Sequence, residues 1–427
     1  MKRILIAVAA LLLVAALIIG LKWPRAEMIA ASSPAAHAGS ADNLARGAYL
    51  AKAGDCMACH TARGGAEYAG GRALDTPFGR LIAPNITSSR EHGIGAWSAD
   101  EFWNALHNGI SRDGRLLYPA FPYTNYTKIT RDDSDALFAY MRSIPAQATP
   151  RQPHALRFPY NQQIALAGWR LLYFKPGVYQ ASHGQDAVWN RGAYLVESLG
   201  HCSACHSGRN ALGATEEGLG GGSIQTLGWY APSLSSDAEA GLGDWDTAHI
   251  EQLLRTGVSP RSTVFGPMAE VVQMSLQHLN GEDVHAMAVY LKSLPATGAA
   301  ARKAERESPS GPEFERVMAQ GRKLYEDQCV SCHGSDGKGL PPHYPPLGGN
   351  RALTMASSVN AIRIVLNGGF PPGTAGNPRP YGMPPFSHVL DDAEVAAVTT
   401  FVRNSWGNQG TLVSPVEVNR YRSVPLE

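Results

Sequence analysis

Six cysteines occur in this chain of 427 residues, and all six belong to one repeated five-residue pattern. The copies are Cys56-Met57-Ala58-Cys59-His60, Cys202-Ser203-Ala204-Cys205-His206 and Cys329-Val330-Ser331-Cys332-His333. A Cys-x-x-Cys-His run reads as a covalent attachment site for haem c. Its two thiols form thioethers with two vinyl groups of one porphyrin, and the His after them is placed to ligate the iron. Cys56, Cys59, Cys202, Cys205, Cys329 and Cys332 are therefore the candidate attachment residues, and His60, His206 and His333 the proximal iron ligands. A chain so marked has to fold around three haems c.

Other uses of cysteine fit less well. A structural zinc site pairs two Cys-x-x-Cys knuckles within a short stretch, whereas successive copies here lie more than a hundred residues apart. A thioredoxin-like dithiol needs a βαβ setting, and none is visible. Disulfides explain an even cysteine count but not the His after each pair.

The N-terminus carries an export signal. Ile4 to Leu21 is an unbroken apolar stretch, with Lys2 and Arg3 before it and Lys22, Trp23 and Arg25 after it. It sits at the lower edge of the roughly 17–25 residues that a membrane-spanning helix needs. Ala36-His37-Ala38 resembles a cleavage site but lies far beyond the apolar end, which favours a retained anchor over a cleaved leader. Lys2 and Arg3 then stay inside, and the remainder faces the periplasmic side of the inner membrane. No cysteine lies near the leader to take a lipid. The net charge of +1, with no polybasic run, argues against a nucleic-acid surface.

An internal repeat organises the rest of the chain. Arg46-Gly47-Ala48-Tyr49-Leu50 precedes the first haem motif and Arg191-Gly192-Ala193-Tyr194-Leu195 the second, with a weaker Gly321-Arg322-Lys323-Leu324-Tyr325 before the third. Gly93-Ile94-Gly95-Ala96-Trp97 recurs as Gly241-Leu242-Gly243-Asp244-Trp245. Each unit closes on an acidic helix start and an apolar-periodic helix. These begin at Asp132-Asp133, Glu282-Asp283 and Asp391-Asp392, and Pro145 and Pro295 stop the first two. A helix with Gly and an aromatic, then the haem motif, a loop and a closing helix resembles the small all-α cytochrome c fold. That resemblance implies two terminal helices that cross where the Gly lets their backbones approach.

The expected fold class is all-α, with three tandem class I cytochrome c-like domains behind an N-terminal transmembrane helix. The boundaries read as an anchor at 1–25, cytochrome domains at 40–150, 186–296 and 313–407, a connector at 151–185, a linker at 297–312 and a tail at 408–427. The linker is rich in Ala, Ser, Pro and charge, as flexible tethers are. The connector holds Trp169, Leu171, Leu172, Tyr173 and Phe174, too apolar for a tether, and is expected to pack on the first two domains or on a partner. The tail is expected to wrap a neighbouring surface.

Methionine as the sixth iron ligand raises a haem's potential. Met383, in Tyr381-Gly382-Met383-Pro384-Pro385, is the candidate for the third haem, and Met268, in Gly266-Pro267-Met268-Ala269, for the second, with Met274 as its runner-up. The first unit departs from this. Its matching loop reads Tyr118-Pro119-Ala120-Phe121-Pro122-Tyr123, and Phe cannot bind iron. Haem 1 is then five-coordinate or capped from elsewhere, with His92, His107 and Met141 as candidates.

The motif order, with Gly200-His201-Cys202-Ser203-Ala204-Cys205-His206, Arg209-Asn210-Ala211-Leu212-Gly213 and Gly228-Trp229-Tyr230-Ala231-Pro232, resembles the triheme cytochrome c subunits of bacterial membrane-bound dehydrogenases. The resemblance spans roughly Ala45 to Gly407. It implies an electron-transfer subunit, not catalytic by itself, that takes electrons from a periplasmic dehydrogenase subunit and delivers them to membrane ubiquinone. Phe121 and the retained leader favour the branch serving molybdopterin enzymes with a small iron–sulfur subunit, such as aldehyde dehydrogenase and the isoquinoline or nicotinate oxidoreductases. The competing branch serves quinoprotein alcohol dehydrogenases and flavin-dependent sugar or polyol dehydrogenases. Two further readings are a multihaem peroxidase or gas sensor using an open haem 1, and a free shuttle. The chain shows no Ser-His-Asp set, Rossmann glycines or P-loop.

Overall fold

Three times along the chain, a glycine in one helix meets the backbone of a helix far downstream. A computed structural model describes residues 40–297, 309–340 and 342–424. The expected anchor at 1–25 lies outside the described residues, among which no helix is long and apolar enough to cross a membrane. The chain divides into two compact units, one ending at Gln180 and one beginning at Ala181.

In the first unit, helix α1 (Ala41–Ala53) starts at Ser40, whose side chain accepts from the Asn43 amide. It crosses helix α2 (Arg131–Ser143), capped by Thr130 and carrying Asp132 and Asp133 in its first turn. Both caps satisfy orphan amides, and the acidic turn suits the positive end of the helix dipole. A Cβ on Gly47 would stand less than 3.0 Å from the Ala136 carbonyl oxygen, nearer than real Cβ atoms come. Arg46 Nη2 pairs with the buried Asp133 Oδ1 at 2.5 Å and pins the crossing.

Connector residues build onto this unit. Ala155–Leu156 adds a strand to the antiparallel hairpin of Ala73–Thr76 and Gly79–Ile82. Helix α3 (Gln163–Tyr173) packs Leu166 and Ala167 against Ile110 and Leu116.

The second unit repeats the crossing twice. Helix α4 (Ala187–Glu197) crosses α5 (Gly281–Ser293) with Gly192 against Ala286, and Arg191 grips Asp283 through two 2.7 Å hydrogen bonds. Helix α6 (Pro312–Gln328) crosses α7 (Asp392–Arg403) with Gly321 against Ala397. Here Arg322 lies over the Phe401 ring. The core beneath holds Tyr325, Ile362, Leu366, Val395, Val398 and Phe401. Full burial of each such side chain contributes about 1.5–3 kcal/mol.

The tail forms helix α8 (Pro415–Arg422), which buries Val418 in that same core and pairs Arg422 with Asp392 at 2.6 Å. Helices form the frame, as the all-α expectation had it. Short two-stranded ribbons at Gly222–Ile224 with Trp229–Ala231, and at Val258–Ser259 with Ser262–Thr263, modify it. They are too brief for an alternating pattern to show in sequence.

Both haem motifs of the second unit share one body. Thr354 Oγ1 donates to the Glu239 carbonyl at 2.7 Å, and Asn360 makes two hydrogen bonds with the Tyr230 backbone, at 2.8 and 2.9 Å. Thr374 Oγ1 reaches the Thr256 carbonyl at 3.2 Å.

Candidate functional site

Each Cys-x-x-Cys-His run comes after the first helix of a crossing pair and forms a short helical turn: Cys56–His60, Ser203–His206 and Val330–His333. Before the first two, beyond the end of the preceding helix, Asp55 and His201 take left-handed backbone, at φ of 50° and 36°. The third has no such residue, and its Cys329 is already in right-handed helical conformation.

The three histidines share one geometry. His60 Nδ1 lies 2.7 Å from the Pro84 carbonyl oxygen, His206 Nδ1 2.7 Å from that of Pro232, and His333 Nδ1 3.2 Å from that of Pro345. A carbonyl only accepts, so Nδ1 carries the proton and Nε2 keeps its lone pair. This is the tautomer that a metal-ligating histidine needs, with its other ring nitrogen held by a backbone acceptor. Burial pushes all three below the usual histidine range, His206 to about 4, against the opposing pull of each carbonyl. Burial thus favours the neutral form of all three rings.

The cysteines have the opposite tendency. Burial pushes the Cys56 and Cys202 thiols up to about 12 and Cys329 up to about 11. A redox dithiol depends on an easily formed thiolate, and these sites disfavour one. Two thiols with a neutral imidazole presenting Nε2 fit a covalently attached haem at each of the three places. Arg72 Nη1 donates to the Ala58 carbonyl at 2.5 Å, and Arg209 Nη2 to the Ala204 carbonyl at 2.6 Å. The two arginines fasten the same position of two haem motifs from different distances along the chain.

Phe121 packs against Tyr126, with ring centroids 5.4 Å apart. Tyr126 is buried, donates to the Gly54 carbonyl at 3.0 Å, and lies close to Cys56 and Cys59. The Phe121 loop therefore reaches the first haem site. The other candidates have different surroundings. Met141 is core of α2, His107 stacks on Trp103 with centroids 4.5 Å apart, and His92 lies 3.8 Å from the Glu91 carboxylate.

Met383 exchanges both backbone hydrogen bonds with Gly369, at 2.8 and 3.0 Å. Met268 sits in the first turn of the helix Pro267–Met274, which Met274 ends. The two methionine loops adjoin, because Phe265 lies 3.3 Å from where a Gly369 Cβ would stand.

Sequence reading missed the carbonyls of Pro84, Pro232 and Pro345. The repeated Ala-Pro at Ala83-Pro84 and Ala231-Pro232 was the available signal.

The pattern of the cytochrome c family matches residues 44–145 and 318–406. The chain is 38% identical over 381 residues to the gluconate 2-dehydrogenase cytochrome c subunit of Pantoea cypripedii, covering 85% of each protein. It is 35% identical to the cytochrome c subunit of the quinone alcohol dehydrogenase of Gluconobacter oxydans, over 93% of this chain and 86% of that one. It is 40% identical to a nicotinate dehydrogenase subunit of Pseudomonas putida, over 90% of this chain and 32% of that longer protein.

The chain belongs to the cytochrome c subunits of dehydrogenase complexes.

Such a cytochrome subunit transfers electrons, and the histidine and cysteine geometry is what covalent haem c requires. The haem supplies reversible one-electron chemistry. What the polypeptide contributes is a fixed imidazole tautomer in a buried setting.

Proposed function

We propose that this cytochrome subunit carries three haems c and relays electrons from a periplasmic dehydrogenase subunit to membrane ubiquinone. The chain is held at the periplasmic face of the inner membrane by its N-terminal apolar segment. The carrying observation is the threefold recurrence of one ligand geometry, with each motif histidine bonded through Nδ1 to a proline carbonyl. The catalytic oxidation belongs to the partner. The relatives named for alcohol, gluconate and nicotinate dehydrogenases support a partner of that general kind.

The partner we favour is a molybdopterin enzyme with a small iron–sulfur subunit. Two features support it: Phe121 in place of a methionine, and the 40% identity to the nicotinate dehydrogenase relative. The alternative partner is a quinoprotein alcohol dehydrogenase or a flavin-dependent sugar dehydrogenase, in keeping with the relatives at 35% and 38% identity.

The test is isolation of the native complex through this chain, with haem, metal and cofactor analysis of what co-purifies. Three haems per chain, molybdenum, iron–sulfur clusters and ubiquinone reduction by the complex are expected. Pyrroloquinoline quinone or flavin without molybdenum would move the chain to the other branch. Peroxide turnover by the isolated chain, with no dehydrogenase attached, would sink the relay.

A further inference from the structure

Arg351 belongs to the third haem-binding segment yet reaches the wall of the second haem site. Its side chain is buried, and Nη2 donates to the Ser233 carbonyl. Ser233 comes directly after Pro232, whose carbonyl holds His206 Nδ1 at 2.7 Å. The guanidinium also lies 5.5 Å from the Trp245 ring centroid, and among the described residues its Nε has no hydrogen-bond partner.

Among the described residues, no carboxylate sits directly on this cation. Asp244, the acid whose charge reaches it, is already paired with Arg261 at 2.7 Å. Burial accordingly drags Arg351 down to about 10, still charged at neutral pH. A buried cation without a close counter-ion is expensive to keep, and its field is weakly screened inside the protein. That field is felt at the second haem site, where the charge of Arg351 adds to burial in depressing His206.

We propose that Arg351 sets the potential of haem 2 from across the junction with the third haem-binding segment. The ferric haem carries one more positive charge than the ferrous haem, so a fixed cation beside its proximal ligand favours the ferrous state and raises the potential. Charge and hydrogen bonding around the ligands are among the levers a protein has on haem potential. Arg351 is a tuning residue, acting through the field and through the Pro232–Ser233 segment. The same contact makes haem 2 hold its potential only while the third segment is docked. This inference rests on the three-haem reading.

The test is a redox titration of the full-length, haem-loaded chain, followed by absorption. Arg351→Gln should lower one of the three midpoints by about 59 mV or more, a tenfold change in the ferrous-to-ferric ratio. The other two should stay in place. Arg351→Lys should retain most of the wild-type value, because it keeps the charge. Thr354→Val removes a neighbouring junction hydrogen bond without touching charge, and should leave all three midpoints unchanged. If no midpoint moves in Arg351→Gln, or all three move together, the proposal fails. An equal shift in Thr354→Val, or a Lys variant indistinguishable from Gln, would assign the effect to packing and also overturn it. Haem content is counted on the same samples. A wild-type chain with fewer than three haems would sink the proposed function, and would be seen as a missing wave, not as a shifted one.

Discussion

Gly192 and Ala286 meet so closely that a methyl group on Gly192 would stand under 3.0 Å from the Ala286 carbonyl oxygen. That oxygen is backbone in the middle of α5 and has no freedom to yield. Gly192→Ala should therefore force α4 off α5 and open the second haem site, since α4 leads directly into Cys202. The expected result is two haems per chain instead of three, read from absorption against protein mass. Gly281→Ala, at a position where an added Cβ meets nothing within 4 Å, should keep all three.

That crossing was legible in sequence because every part of it is local. Gly192 and the Arg191 beside it announce the first helix, and Asp283 with Met287 and Tyr290 announces the second. The candidate attachment motif was legible for the same reason, since Cys202, Cys205 and His206 are nearly contiguous. The Pro232 carbonyl was not, because every residue carries a carbonyl and only the fold decides which one meets Nδ1. Nor was the junction around Arg351, Thr354 and Asn360. It depends on two surfaces fitting after each has folded, and Arg351 in isolation reads as one more surface charge. The short ribbons escaped because two or three residues show no period.

Phe121 gives the second prediction. Phe cannot ligate iron, and its ring lies 5.4 Å from Tyr126 in the loop over the first haem site. Phe121→Met would offer a thioether there. The lowest of the three midpoints should rise by about 59 mV or more, tenfold in the redox ratio. Any high-spin, carbon-monoxide-binding signal of the wild type should disappear in the variant. Three equal high midpoints in the wild type would count against haem 1 lacking methionine.

Asp237 predicts how the second unit responds to acid. Burial alone would raise its pKa, but hydrogen bonds from Ser233, Ser235 and Thr297 outweigh this and hold it below the ordinary 3.8. The folded pKa is thus depressed, so the stabilisation is present above the unfolded value and lost as pH falls through the folded one. Urea midpoints should be flat from about pH 7 to about pH 5 in this respect and fall below about pH 4. Asp237→Asn should cost about 1–3 kcal/mol at neutral pH and flatten that acid limb. A variant with wild-type urea midpoints at every pH would show that this carboxylate contributes nothing.

Met383 and Met268 allow the two methionine loops to be separated. Met383 is held by paired backbone hydrogen bonds to Gly369, so exchanging its side chain leaves the loop anchored. Met383→Leu should keep three haems but make one of them high-spin, able to bind carbon monoxide, with a lowered midpoint. Met268 stands in the first turn of a helix begun by Pro267, and Met268→Leu should do the same to a different wave. The double variant should then show both changes. Met274→Leu decides the assignment for haem 2: if it yields the high-spin haem and Met268→Leu does not, the ligand comes from the far end of that helix. The proximity of Phe265 to Gly369 adds a constraint. Because the loops adjoin, Phe265→Trp should disturb both candidate methionine loops together, whereas each Met→Leu change should remain confined to one haem.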